Sequence, residues 1–236
     1  ERRIKPKFIE EREMSLQPIV AKTVKQKEYM RMLADPNIQI IVCTGFHGSG
    51  KTFIPSAIAA DKFRKNEIKK IIVARPYVQT GKSSGMKPGT SLEKLYPYVR
   101  NVLDTIKFFK QKAAYEIALK DGLTGALEVQ EIESIRGRSF DEPSWLIADE
   151  MQQSTPDEMK SIVTRISDEC KLVLCGDIRQ KDIRGESGLE WFLEFAKRHK
   201  LKGVGLIDFS DPDDIVRGKM VRDIAIGLMK DEQKEK

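Results

Sequence analysis

Gly45-Phe46-His47-Gly48-Ser49-Gly50-Lys51-Thr52 places three glycines, a lysine and a hydroxyl at the spacing G-x-x-x-x-G-K-[ST]. The chemistry that needs this pattern is phosphate binding. Glycines let the backbone fold so closely that its N–H groups point at a β-phosphate, Lys51 would bridge the β- and γ-phosphates, and the Thr52 hydroxyl would hold magnesium. The expected nucleotide contacts are therefore Gly45, Phe46, His47, Gly48, Ser49, Gly50, Lys51, Thr52 and the following Phe53, with Lys51 also catalytic. Phe46 and His47 occupy free positions of the motif, where side chains point away from the phosphates, so His47 reads as a bystander.

Such a loop works with a second strand that ends in a carboxylate. The run SWLIADE ends in Asp149, placed to reach the metal, and Glu150, placed to accept a proton from attacking water or to orient it. KLVLCG then delivers Gly176-Asp177-Ile178-Arg179-Gln180 at the carboxyl end of a further strand, where open α/β sheets bind ligands. Gln180 is placed there to hydrogen-bond a γ-phosphate or the water attacking it.

The elements needed to position these groups follow from hydrophobic period. Short β-branched runs at 39–44, 69–75, 127–132, 144–149, 171–176 and 204–209 alternate with helical segments at about 50–65, 91–120 and 187–198. Thr155-Pro156-Asp157-Glu158 is a capping box that opens another helix. Asp211-Pro212-Asp213-Asp214 reads as the acidic first turn of the last one. Val216, Met220, Ile224 and Leu228 recur every four residues there, a stripe expected to face the core while Arg217 points elsewhere. Pro55 falls about one turn into the helix after the loop. A proline costs about 3 kcal/mol or more in a helix interior and little in the first turn, so a slight kink or tightened turn is expected near Thr52. The reading is an α/β fold, a mostly parallel doubly wound sheet with helices on both faces. Residues 1–20 form a charged arm, 21–230 the domain and 231–236 a charged tail.

With 236 residues, 40% hydrophobic and 33% charged, the chain carries one sizeable core. Its net charge of +6 suits a polyanionic partner. Cys43, Cys170 and Cys175 form no CxxC pair, which points to a reduced, cytoplasmic setting. Two histidines, His47 and His199, make a histidine metal site or a Ser-His-Asp hydrolase an unsuitable reading. No apolar run reaches membrane-spanning length and the first residues are charged rather than signal-like.

From about Lys22 to Ile226 the chain resembles the PhoH-like family of P-loop ATPases. The likeness rests on the Thr23…Gln26 entry, GFHGSGKT, ARPYVQTGKSSGMKPG, YPYVRNVLD, IRGRSF, ADEMQQSTPDEMKSIVTRI, VLCGDIRQKDI and DIVRGKMV, in that order. The family's core is similar to the first motor domain of superfamily 1 helicases, so the resemblance implies a single RecA-like P-loop domain that hydrolyses ATP with Mg2+. It further implies that Gln26 reads adenine, that Gln152 and Gln180 couple phosphate state to nucleic acid, and that Arg75, Arg136 and Arg138 line a nucleic-acid groove. The chain departs from the pattern at Phe46 and His47, where smaller residues are usual, at Lys82 and Ser83, which replace acidic positions, and at Gly218-Lys219 after Arg217.

A superfamily 1 helicase closes two motor domains over each nucleotide, and this chain has room for one. Either hydrolysis is slow and unassisted or a neighbouring subunit completes the site; the resemblance implies a hexameric ring, with Arg165 and Arg217 as candidates for the inter-subunit arginine. Lys82 and Lys87, in the turn-rich segment 76–90, join Arg75, Arg136 and Arg138 as expected contacts to RNA or single-stranded nucleic acid. Two other readings stay open: a small-molecule P-loop kinase, and a nucleotide-dependent assembly module with little turnover.

Overall fold

Ile41 to Gly45 are buried without a break, so no face of this segment meets water and it must lie inside a sheet covered on both sides. The computed structural model describes residues 19–76, 91–109, 115, 116, 118, 119, 125–135 and 138–234. The segment is strand β1 (Ile40–Gly45), and with β2 (Lys70–Arg75), β3 (Leu127–Glu131), β4 (Ser144–Ala148), β5 (Cys170–Gly176) and β6 (Val204–Phe209) it forms a parallel sheet of order β3-β2-β4-β5-β1-β6. Alternate residues of each strand enter two separate cores. Ile41, Cys43, Val73, Ile147 and Val173 pack under helices α1 (Val24–Ala34), α2 (Phe53–Arg64) and α3 (Ser91–Phe109). Val42, Ile72, Leu146 and Leu172 pack under α4 (Pro156–Val163) and α5 (Gly188–His199).

The strand order has one consequence for chemistry. After β1 the chain crosses to β2 and leaves a gap that β4 and β5 fill later, so β5 separates β1 from β4. At the usual strand spacing the ends of β1 and β4 are about 10 Å apart, with the end of β5 between them.

Local signals set the helix starts. Thr155 accepts from the Glu158 N–H while Glu158 accepts from the Thr155 N–H, with Pro156 at the first helical position, and Ser187 and Glu190 repeat the arrangement for α5. The last helix departs from expectation. Asp211 and Asp214 do close a capping box, but on a single 3-10 turn, Pro212–Asp214; helix α6 spans Lys219–Lys234. Between them Val216 leaves the helical path to donate its N–H to the Gly48 carbonyl (3.1 Å).

The expected core stripe on α6 also fails. Met220, Ile224 and Leu228 are 71%, 56% and 60% exposed, and the face turned inward carries Ala225 and Met229 against Phe46 and Ile215. A four-residue repeat advances about 40° per step around a helix, so such positions wind off any one face. The anchored strap before the helix then decides which side faces in. Among the described residues no helix is long and apolar enough to cross a membrane.

On the outer strand β3, Glu128 is buried and faces Lys70 (3.0 Å), Arg138 (2.8 Å) and the Gln130 amide (2.5 Å). Arg138 also lies over the Phe140 ring. Arg138, expected at a nucleic-acid groove, is thus also one of the cations that this buried carboxylate needs. Arg138→Met should lower unfolding stability by about 2 kcal/mol, below the usual cost of breaking a buried pair because Lys70 remains. Adding Glu128→Met should recover most of that loss in denaturant titrations.

Candidate functional site

The loop after β1 is held open by contacts to its carbonyls. Gly45 has φ +120°, and a Cβ there would lie 2.3 Å from the Phe209 carbonyl carbon, so only glycine lets the loop lean on β6. The Phe46 N–H donates to Phe209 O (3.0 Å), the Ser49 hydroxyl to Phe46 O (2.9 Å), and the Ile54 N–H to Gly50 O (3.0 Å). Gln26 reaches the loop from α1: its amide donates to Ser49 O (2.7 Å) while its oxygen accepts from the Lys22 N–H (2.7 Å). From His47 to Phe53 the backbone N–H groups make no backbone hydrogen bond among the described residues. The result is a run of donors at the positive end of α2, without backbone acceptors and suited to an anion.

Lys51 folds back onto this loop, its ammonium donating to Gly45 O and Phe46 O at 2.6 Å each. Its main-chain carbonyl has a different problem. Pro55 lies four residues on, in the first turn of α2, and has no N–H to give it. Tyr29 fills the gap: its hydroxyl donates to Lys51 O (2.8 Å), joined by the Cys175 thiol (3.3 Å). Burial pushes the Tyr29 hydroxyl well above the usual phenol range, and the neighbouring Cys43 thiol together with burial does the same for Cys175, so both stay protonated donors.

Two carboxylates meet the loop from β4. The Thr52 hydroxyl donates to Asp149 Oδ1 (2.9 Å). Burial and then the charge of Glu150 raise the Asp149 carboxyl above the ordinary range, against the pull of the Thr52 bond and of Arg75. Glu150 has left-handed backbone, φ 55° and ψ 36°, which turns it off the strand line, and it accepts from the Gln152 amide (2.5 Å). Gln152 Oε1 in turn accepts the Asp177 N–H (3.2 Å) at the end of β5. A Cβ at Gly176 would lie 2.5 Å from Gln152 Oε1, so any side chain there would displace this amide. Asp177 accepts from Arg179 and from the Gln180 amide nitrogen, both at 3.2 Å.

These groups surround a cleft of roughly 680 Å3, within the range of small-molecule sites. Gln26, the loop, Asp149, Glu150 and Asp177 line it, with Tyr98, Asn101 and Thr105 of α3 as the far wall. Arg75 enters it, its guanidinium donating to Tyr98 O (3.2 Å) and lying over the Tyr98 ring. Arg217 also lines it, with its stem packed where a Cβ on Gly48 would sit, so it covers its own loop instead of pointing elsewhere. Arg165 is not brought to the cleft; it follows α4, beside the Ile166–Phe140 bridge that precedes β5. Phe53 turns from the loop to meet the Phe109 ring. Lys82, Lys87 and Arg136 lie outside the described residues.

The sequence reading missed Tyr29 and the α3 wall. For Tyr29 a signal existed, since Pro55 implied an orphaned Lys51 carbonyl. His47 is not a bystander by contact, for its Nε2 lies 2.8 Å from Gln180 Oε1. No preformed cluster of metal ligands occurs among the described residues. A magnesium ion would depend on the Thr52–Asp149 pair together with phosphates and water, and that hydroxyl–carboxylate pair at the loop's helix end suits it.

Residues 18–227 match the family model described as PhoH-like protein. A PhoH-like protein of Bacillus subtilis is 32% identical over 208 residues, 87% of this chain and 62% of its own length. Protein PhoH of Escherichia coli K12 is 33% identical over 198 residues, 83% of this chain and 54% of its own. The chain thus spans between half and two thirds of these relatives. Among solved structures the HK97 bacteriophage large terminase superposes with a TM-score of 0.56 at 14% identity, over 91% of this chain and 48% of that one. The fold is that of a single RecA-like P-loop NTPase domain.

Tyr29→Phe should lower stability by about 1–2 kcal/mol, the cost of a buried carbonyl left with one weak thiol donor. Asp149 gives the opposite sign. Its folded-state pKa is raised, so ionising it costs stability as pH rises from the unfolded value through the folded one. Asp149→Asn should therefore raise the melting temperature at neutral pH, with the gain shrinking as the pH falls through the carboxylate range.

Proposed function

The chain belongs to the PhoH-like protein family, and from that premise we propose that it binds ATP with Mg2+ and hydrolyses it to drive work on RNA or single-stranded nucleic acid. The observation that carries the reading is the convergence on one cleft of the bare N–H run, Lys51, the Thr52–Asp149 pair and Glu150.

Lys51 leaves the loop carbonyls for the phosphates, exchanging two neutral acceptors for a charged one. Gln26 keeps the loop in register as it does so. Mg2+, when bound, would offset charge on the β- and γ-phosphates, with Thr52 and Asp149 as the residues to hold it. Glu150 orients the attacking water and accepts its proton, with Gln152 fixing the carboxylate. Gln180 reads the γ-phosphate end. Arg75 and Arg217 bring positive charge to the cleft from within the same chain, which supports a role for Arg217 over its own nucleotide. In a hexameric ring the arginine offered to a neighbour is then Arg165, exposed and away from its own cleft. Arg75 with the exposed Tyr98 gives single-stranded nucleic acid a stacking edge beside the cleft.

Phosphate release by the purified chain tests this. Wild type should release phosphate from Mg-ATP without any acceptor, Glu150→Gln should lower kcat by about 10²–10³-fold with ATP still bound, and Lys51→Ala should lose the nucleotide. Single-stranded RNA should stimulate release at low salt, with the effect falling as salt rises. Equal, near-zero release by wild type and Glu150→Gln with tight ATP binding would instead favour an assembly module, and release only with an acceptor would favour a kinase.

A further inference from the structure

Two residues of the phosphate loop that the motif leaves free, Phe46 and His47, both touch the turn that follows β5. His47 Nε2 lies 2.8 Å from Gln180 Oε1. The Arg179 guanidinium lies 3.6 Å from the centre of the Phe46 ring. Neighbouring residues of one segment thus clasp neighbouring residues of the other. The amide direction is determined, not arbitrary: Asp177 Oδ2 is a carboxylate oxygen and can only accept, so the Gln180 nitrogen faces it (3.2 Å). The Gln180 oxygen is then left toward His47, and His47 must present Nε2–H, which both its neutral Nε2–H tautomer and its imidazolium do.

Resting on the ATPase reading, we propose that His47 is a positioning residue for Gln180. By donating to Oε1 it holds the amide with its NH2 group on Asp177, the carboxylate of this turn that lines the cleft, the orientation from which it could donate to a γ-phosphate. An acceptor at position 47 would favour the reversed amide, presenting an oxygen to phosphate and to Asp177, where it is repelled. Arg179, braced between Asp177 (3.2 Å) and the Phe46 face, keeps the turn at the height His47 requires. The contact is exposed, so its value lies in orientation more than in stability.

The test has two independent readouts. In steady-state phosphate release, His47→Ala should lower kcat about 5–20-fold with KM within about twofold, and His47→Gln, which keeps a donor, should recover to within about threefold of wild type. Gln180→Ala and the His47→Ala/Gln180→Ala double variant should be equally slow, because the two side chains act as a unit. In 1H–15N spectra of the nucleotide-free protein, the Gln180 side-chain amide signals should move in His47→Ala and stay near the wild-type position in His47→Gln. Additive kinetic losses, a change confined to KM, or a Gln180 amide indifferent to His47→Ala would overturn the proposal. Absence of phosphate release by wild type would contradict the ATPase reading alone, and the amide signals would still decide the orientation.

Discussion

A run of backbone N–H groups from His47 to Phe53 without backbone acceptors is an unstable arrangement, and much of the structure around it exists to keep it open. The carbonyls of the same loop would satisfy those donors if they turned inward. Instead most are engaged elsewhere: Gly45 and Phe46 by Lys51, Gly48 by Val216, Ser49 by Gln26, Gly50 by Ile54, Lys51 by Tyr29 and Thr52 by Ser56. Helix α1, just before the loop in sequence, and strand β6 with the strap that follows it, far along the chain, share this one task. The loop is thus organised before any anion arrives, so little binding energy is lost to ordering it.

Topology supplies the rest of the site. With β5 between β1 and β4, the loop, the Asp149–Glu150 pair and the Asp177–Gln180 turn arise from three adjacent strand ends of one parallel sheet. Gln152 bridges two of them through Glu150 and Asp177, and His47 joins the third. A change at the phosphate end of the cleft therefore has short, hydrogen-bonded routes to the surface turn at Gln180 and from there to Gln153 and Asp182.

Much of this was legible in the chain itself. The apolar runs that became β1, β2, β4 and β5 are buried on both faces, so their composition alone marked them, and the Thr155–Glu158 start was written in cap chemistry. The loop motif gave its own geometry because each glycine answers a backbone requirement. What could not be read were the choices made by tertiary contact. Nothing in the spacing of Met220, Ile224 and Leu228 says that Val216 is tied to Gly48 and turns them outward. The pairing of Arg138 with Glu128 depends on the fold burying that carboxylate beside it. The partnership of His47 with Gln180 spans 133 residues and leaves no local trace.

The loop is a ready-made phosphate cradle from which a bound nucleotide would release Lys51. A crystal structure with Mg2+ and a non-hydrolysable ATP analogue tests it most directly. The β-phosphate should lie among the N–H groups of residues 47–53 with the loop backbone essentially unmoved, the Lys51 ammonium transferred from Gly45 O and Phe46 O to the phosphates, and the Tyr29–Lys51 bond intact. A nucleotide bound elsewhere, or a loop that must refold to accept it with Lys51 still on its own carbonyls, would contradict the account.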